Sequence, residues 1–401
     1  MTPPLPPLLL SQFTTTTCLG SGLTPTLAAL QTTRSGLTPC DFDTAAIPTW
    51  IGRVAGLENI TLPADLQHFD CRNHRLAYLG LNTDGFAAAV VRARQTHGAE
   101  RIGVFLGTST SGIYETEVAY RHRDPLTGAL PASLDYFNTH TPYSLANFVR
   151  RALTLTGPAA VVSTACSSSA KVFASAQRMI ALGLIDAAVV GGVDSLCLTT
   201  LYGFTSLELT STEPCRPYDA ERQGISIGEG AAFILLERAP AIPQPGQILL
   251  LGAGESSDAY HMSSPHPEGL GAQAAMRQAM ERAGVVAGDI DYINCHGTAT
   301  PSNDSAEGRA IAAVFGKTVP CSSTKGATGH TLGAAGGVEA VISALALQHG
   351  LMPGSAGTRT LDPSLAIHYL LASSEKKLQR VLSNSFGFGG SNCSLIFGRS
   401  P

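Results

Sequence analysis

The chain reads as an α/β protein built from two successive halves, and three observations predict this. Short apolar runs of strand length, such as Ile102 to Gly107 and Ala187 to Gly192, alternate with segments whose apolar residues recur every three or four positions. That alternation continues on both sides of residue 240, which implies parallel or mixed sheets with helices packed on them. Pro240, Pro243 and Pro245 interrupt it there, dividing residues 1–245 from residues 246–401. No literal repeat is visible, although the two halves could be structural copies.

The bulk properties narrow the class. In 401 residues, 44 % are hydrophobic and only 14 % charged, which suits a compact chain with a large core. The net charge of -4 gives no general case for nucleic-acid binding. The sparse surface charge suggests cover by another subunit. Nine scattered cysteines without a C-x-x-C pair argue against a disulfide framework or structural zinc, and for a reducing compartment. The opening MTPPLPPLLLSQ lacks a basic n-region, and apolar runs are broken by Gly or polar residues. A cytoplasmic protein without membrane insertion is expected.

The elements follow in order. Leu8 to Thr16 is a first strand, followed by a Gly-rich turn and a helix over about Pro25 to Thr33. Residues 36–70 are Pro-rich connecting structure. Ala-rich composition predicts one helix from Arg75 to His97. Ile102 to Gly107 is a buried strand ending in the small-residue run Thr108-Ser109-Thr110-Ser111-Gly112. Residues 120–142 form an irregular excursion, and a helix spans about Tyr143 to Leu155. Ala187 to Gly192 is a strand, residues 199–228 show little pattern, and Ala231 to Glu237 is a strand. The second half begins with a strand at 247–252 and a helix at 271–283. Asp291 to Cys295 is a strand, Asp304 to Phe315 a helix, and Leu332 to His349 a long small-residue helix. A hairpin closes the chain, Val381 to Ser385 with Asn392 to Phe397.

Four polar stretches carry the chemistry. Ala159 to Ser169, AAVVSTACSSS, reads as a strand, a tight exit and a helix running to about Leu182. Val172, Phe173, Ala176, Met179 and Ile180 supply the helical spacing, and Gly183 the stop. Cys166 falls at the junction, where the helix dipole and free backbone N–H groups should lower a thiol pKa and offer oxyanion donors. A buried structural cysteine is the bland alternative. In Asn294 to Pro301, NCHGTATP, His296 leaves a strand end into a loop, the usual place for catalytic groups in α/β folds. A metal pair with Cys295 is disfavoured, since adjacent strand residues point to opposite faces. In Ser322 to His330, SSTKGATGH, Lys325 and His330 share a Gly/Ser/Thr loop that does not match a phosphate-binding loop. His330 lies near a helix N-terminus, which should keep its imidazole neutral. Glu339 in the following helix could pair with Lys325. In Asn384 to Asn392, NSFGFGGSN, a backbone N–H could complete an oxyanion hole with that of Cys166.

Together with CRPYDAERQGISIGEGAA (215–232) and SSDAYHMSSP (256–265), these stretches resemble the elongating β-ketoacyl-acyl-carrier-protein synthases over nearly the whole chain. The resemblance implies a thiolase fold, two similar α/β halves stacked as five layers αβαβα in a dimer. It places the nucleophile at Cys166, the histidines at His296 and His330, the lysine at Lys325 and its acidic partner at Glu339. It makes Phe388 the gate between acyl and malonyl sites, and Thr298 and Thr300 the hydroxyls that bond the pantetheine arm. It implies no metal or redox cofactor, because substrates arrive on the phosphopantetheine arm of acyl carrier protein. The implied reaction is a decarboxylative condensation of an acyl group on Cys166 with malonyl-carrier.

Departures bear on substrate choice. The segment FDCRNHRLAYLGL (residues 69–81) is not the Lys-rich segment usual in the housekeeping enzymes, and the excursion at 120–142 lacks their typical basic residues. Arg72, Arg75, Arg150 and Arg151 are the candidates for carrier contact. Ile113 stands where the family limits acyl pocket depth. These features point to a specialised aryl-polyene or polyketide-like pathway beside bulk fatty acid synthesis, with an identical partner or a chain-length-factor paralogue. A thiolase would need a second catalytic Cys in the C-terminal turn, and Cys393 falls beyond it. An initiating synthase would carry Asn at His330, and a chain-length factor would have lost Cys166.

Overall fold

The computed structural model describes residues 5–401. Ten strands build the main sheet: β1 Leu8–Thr17, β2 Ile102–Gly107, β3 Ala159–Val162, β4 Ala187–Asp194, β5 Gly230–Arg238, β6 Ile248–Ser257, β7 Tyr292–Asn294, β8 Pro320–Ser322, β9 Arg380–Gly387 and β10 Ser391–Arg399. Their order is β8-β7-β9-β10-β6-β1-β5-β4-β2-β3, with short strands added at Gly20–Ser21 and His368–Tyr369. Each half contributes five strands in the same arrangement. In each, the third strand lies outermost, followed by the second, fourth, fifth and first. In each, the fifth strand runs opposite to the other four. The halves are therefore structural copies, joined where Leu8 and Leu9 pair with Leu250 and Leu249.

Layering follows from which faces are apolar. Strands buried on both faces read as continuous apolar runs, as in β4, Ala187–Asp194. Two helices, α1 Ser168–Ala181 and α2 Ala335–His349, pack together and against strands of both halves. One large core joins them, through Phe173 and Ile180 of α1 and Val341 and Leu345 of α2, to strand residues of either half. Helix α2 is buried on every side from Ala335 to Leu347, as a middle-layer helix must be. A second core packs helices Arg72–Leu81, Phe86–His97 and Tyr143–Ala152 on the outer face of the first half. A third packs helices Leu270–Ala283 and Pro301–Phe315 outside the second. The result is the five-layer αβαβα thiolase arrangement.

Several elements depart from the sequence reading. The single helix expected over 75–97 is two, Arg72–Leu81 and Phe86–His97. The break has a cause: Asp84 and Gly85 take positive φ, and the Asp84 carboxylate accepts hydrogen bonds from Thr14 Oγ1 (2.8 Å) and the Leu23 N–H (3.0 Å). Tertiary bonds to β1 override the local helix preference. A helix, Leu198–Ser206, occupies part of the stretch read as unpatterned, and Ile113–Arg121 enters the irregular excursion. Within 36–70, short strands Thr38–Pro39 and Trp50–Gly52 join Ile227–Gly228 in a small side sheet. His330 bridges to its Ile227. Among the described residues, no helix is long and apolar enough to cross a membrane, and all nine cysteines are free.

Candidate active site

Cys166 sits between β3 and α1 in a sharp elbow. Ala165 adopts φ 52°, and the Ser168 hydroxyl stabilises the bend by accepting from the Thr164 N–H at 2.9 Å and donating to the Ala165 carbonyl. The hairpin turn between β9 and β10 closes over it. A Cβ at Gly387 would lie 2.7 Å from the Thr164 carbonyl and 3.2 Å from the Cys166 nitrogen, so only glycine permits this approach. The Phe388 N–H acts on the Cys166 thiol in the direction that favours its ionised form. The backbone groups read as oxyanion donors thus meet at the thiol.

The second half delivers the rest. His330 Nε2 lies 2.9 Å from Cys166 Sγ, and the rings of His296 and His330 stand edge to face with centroids 5.3 Å apart. Lys325 Nζ bonds Glu339 Oε1 and the His296 carbonyl, and lies 3.2 Å from His296 Nδ1. All five side chains are buried. They open, except Lys325 and Glu339, onto a narrow pocket lined also by Thr298, Thr300 and Phe388. The hydroxyls of Thr298 and Thr300 lie 2.8 Å apart on its wall. Phe388 is half-buried and packs on Phe204, ring centroids 5.6 Å apart.

Hydrogen bonds set the protons. An ammonium can only donate, so Lys325 makes His296 Nδ1 an acceptor and leaves the ring proton on Nε2. The Leu332 N–H donates to His330 Nδ1 at 3.3 Å with the same result. Both imidazoles are therefore Nε2–H donors. Burial, and then the Lys325 charge, hold both well below the ordinary histidine pKa, so both are neutral. The neutrality expected for His330 holds, but its cause is desolvation rather than a helix end.

The expectation for the thiol is overturned. Burial pushes Cys166 up to about 12, against the lowering effects of Lys325 and the Phe388 N–H. In the resting site the sulfur is a thiol, and the dipole of α1 does not outweigh desolvation. Glu339 is raised to about 7 by burial, opposed by Lys325.

Ligand atoms of Cys166, His296 and His330 lie within 4.8 Å of one another, close enough to suggest a soft-metal site. The surroundings do not fit one. A ligating histidine presents a bare Nε2 and donates from Nδ1–H to an acceptor. Here both Nδ1 atoms face donors, and one donor is a cation.

Not all expected contacts gather here. Arg72 is buried in a bidentate pair with Glu229 (2.6 and 2.9 Å) and also bonds Glu58 (2.8 Å), so it is not available to a carrier. Arg75 is forked onto Asp70 at 2.6 Å through both nitrogens and is likewise engaged. Sequence reasoning missed both because neither acidic partner stands at helical spacing. Arg150 and Arg151 lie in the last turn of their helix, where Arg151 is exposed and Arg150 bonds Asn147. Ile113 is half-buried at the first turn of its helix and does not line the cavity.

Three carboxylates that shape the site had gone unnoticed. Glu307 accepts the N–H groups of His296 and Gly297, both at 2.8 Å, and Asn384 Nδ2 at 3.0 Å. Asp304 accepts the N–H groups of Thr298 (3.0 Å) and Tyr218 (2.7 Å). Both lie in the first turns of helix Pro301–Phe315, where acidic residues after a Gly/Thr loop are a readable signal. Asp194, at the end of β4, had no such signal.

The chain matches two family profiles in succession. Residues 77–241 match "Beta-ketoacyl synthase, N-terminal domain" and residues 248–359 "Beta-ketoacyl synthase, C-terminal domain". The 3-oxoacyl-[acyl-carrier-protein] synthase 2 of Vibrio cholerae is 33 % identical over 399 residues, 88 % of this chain and 94 % of that one.

The chain belongs to the β-ketoacyl synthase family.

Other family members match more closely over shorter spans. The mitochondrial 3-oxoacyl-[acyl-carrier-protein] synthase of Arabidopsis thaliana is 41 % identical over 60 % of this chain, and synthase 2 of Rhizobium meliloti 42 % over 61 %. These matches span 56 % and 62 % of those proteins. Among solved structures, a β-ketoacyl synthase fold of the same shape occurs in a ketosynthase in complex with its chain length factor from Xenorhabdus doucetiae. It has a TM-score of 0.88 and 38 % identity over 98 % of both chains. The β-ketoacyl synthase of Burkholderia phymatum superposes with a TM-score of 0.86 at 28 % identity, covering 99 % of this chain and 100 % of that one.

Proposed function

We propose that the protein is a 3-oxoacyl-[acyl-carrier-protein] synthase that lengthens an acyl chain by two carbons. The observation that carries this is the meeting of one thiol and two imidazole Nε2–H donors at one cavity. In the first step Cys166 Sγ attacks the acyl thioester of a carrier, and its proton passes to the departing pantetheine sulfur. The N–H groups of Cys166 and Phe388 hold the oxyanion. In the second, malonyl thioester loses carbon dioxide, and the electron pair of the broken C–C bond forms an enolate. Neutral His296 and His330 donate to its oxygen without surrendering their protons. In the third, the enolate carbon attacks the Cys166 thioester carbonyl, forming a C–C bond and expelling the Cys166 thiolate, which takes up a proton from solvent to restore the resting thiol. No step calls for a metal or redox cofactor. In this reading Thr298 and Thr300, on the cavity wall, bond the pantetheine arm, and Phe388, followed by the positive-φ glycines Gly389 and Gly390, gates the cavity.

A second observation favours a specialised setting. Identity to the Xenorhabdus doucetiae ketosynthase, at 38 % over 98 % of the chain, exceeds the 33 % over 88 % shared with the Vibrio cholerae synthase. That ketosynthase is paired with a chain length factor, and β3 ends the sheet here with one edge unpaired. A paralogue lacking the nucleophile is the partner this reading assigns, with acyl carrier protein as substrate carrier. Nine free thiols suit the reducing cytoplasm. The test offers a panel of acyl-carriers with malonyl-carrier, with and without the paralogue, and identifies products by intact mass. β-Ketoacyl-carrier two carbons longer supports the reading; free acid alone would make the protein a thioester hydrolase.

A further inference from the structure

Asp194 lies under the site without touching substrate. It is fully buried, and among the described residues no lysine or arginine pairs with it. Its Oδ1 accepts from Thr108 Oγ1 (2.6 Å), the N–H groups of Ser109 (2.7 Å) and Thr110 (2.9 Å), and Thr110 Oγ1 (3.0 Å). Its Oδ2 accepts from the Gly333 N–H at 2.5 Å. An uncompensated buried carboxylate is costly, and five donors aimed at one group indicate a structure built around its charge.

Those donors come from two places. Four belong to the small-residue run after β2. The fifth belongs to the short turn Leu332–Ala334 that follows His330. In that turn Leu332 holds φ 52°, a strained conformation for a non-glycine residue that persists only where the surroundings enforce it. The enforcing contact is at the next residue. A Cβ at Gly333 would lie 2.8 Å from Asp194 Oδ2 and 2.7 Å from Ser109 Oγ, so the turn is pressed onto the clamp. The N–H of the strained Leu332 is the donor that reaches His330 Nδ1.

We infer that Asp194 is a positioning residue: by clamping the Gly333 N–H it aims the Leu332 N–H at His330 Nδ1 and so fixes His330 as an Nε2–H donor toward Cys166. This deepens the proposed reaction, because the enolate needs that donor. No chemistry passes through Asp194 itself. An amide in its place would present an NH2 group to N–H or O–H donors, and the turn would be released.

The test reads the tautomer directly. The full-length protein is labelled with 15N-histidine, and the His330 ring signals are assigned by their loss in His330→Asn. Wild type should show one bare Nδ1 and one protonated Nε2. Asp194→Asn should show a mixture, with malonyl decarboxylation down by about 10²-fold and Cys166 acylation within about threefold. Gly333→Ala attacks the clamp from the other side and should behave alike, which keeps the test open if Asp194→Asn does not fold. Thr108→Val removes one donor to the same carboxylate but leaves the turn, and should keep the wild-type tautomer. Retention of a single Nε2–H tautomer in Asp194→Asn or Gly333→Ala would overturn the inference. So would an equal mixture in Thr108→Val, which would mark a general packing effect. The tautomer is read without substrate, so failure here is separable from failure of the proposed reaction.

Discussion

Replacing Lys325 with Met separates the lysine's two tasks. Its ammonium bonds Glu339 and sets the His296 proton. Without it, the nearest remaining partner of Glu339 Oε2 is Ser385 Oγ at 3.5 Å. Glu339 is already raised to about 7 with the lysine present, so its loss drives the carboxyl neutral at pH 7. Removing one partner of a buried ion pair costs about 3–5 kcal/mol. The second task is chemical. Freed of the ammonium, His296 can carry its proton on Nδ1 and turn a bare Nε2 toward the enolate oxygen. Loss of one such donor lowers decarboxylation by about 10²- to 10³-fold. Acylation of Cys166 depends on the backbone donors and should fall far less. The assay pairs carbon dioxide release from malonyl-carrier with intact-mass detection of acyl-Cys166, and chemical denaturation gives stability. Lys325→Met/Glu339→Gln should recover stability but not decarboxylation. Wild-type decarboxylation in Lys325→Met, or its return in the double variant, would refute the tautomer argument.

Other expectations follow from the same geometry. His74, His296 and His330 all have folded-state pKa values below 6.5, and His74 is held at about 4 by burial. Below 6.5 the unfolded chain binds more protons at these rings than the folded one, so stability should fall as pH drops, by about 1.4 kcal/mol per pH unit per ring. Buried carboxyls with raised pKa, Glu339 and Asp304 among them, act in the opposite direction over the same range, so urea melts between pH 5 and 7 compare wild type with His74→Phe; identical slopes in the two proteins would contradict the neutrality assigned to His74. Arg72→Met should destabilise the fold by about 3–5 kcal/mol by leaving Glu229 buried and unpaired, with KM for acyl-carrier unchanged in the folded fraction. A selective rise in KM would restore Arg72 as a docking residue. Thr298→Val should raise KM for carrier-bound substrate by about threefold to tenfold through one lost hydrogen bond, and an unchanged KM would remove the hydroxyl from the binding role.

The chemistry was more legible than the supports beneath it. Cys166, His296, Lys325 and His330 stand in polar, Gly-rich loops next to apolar strands, a local contrast that any reading of the sequence can register. Strand boundaries such as Ile102–Gly107 also followed from composition, because a strand buried on both faces is apolar throughout. What escaped notice was nonlocal. The helix break at Asp84 depends on Thr14 and Leu23. The engagement of Arg72 depends on Glu229, 157 positions away. The high pKa of Cys166 depends on burial by the hairpin turn, which outweighs a local dipole visible in the sequence. Asp194 has no motif, because three of its five donors are backbone groups that any residue could supply.

The central claim is that one sulfur and two imidazoles form a single site with divided tasks. Cys166→Ala, assayed with acyl-carrier and with malonyl-carrier separately, tests it most directly. The variant should give no acyl adduct by intact mass and should continue to release carbon dioxide from malonyl-carrier. An acyl adduct on the variant, or a complete loss of decarboxylation in a folded protein, would contradict it.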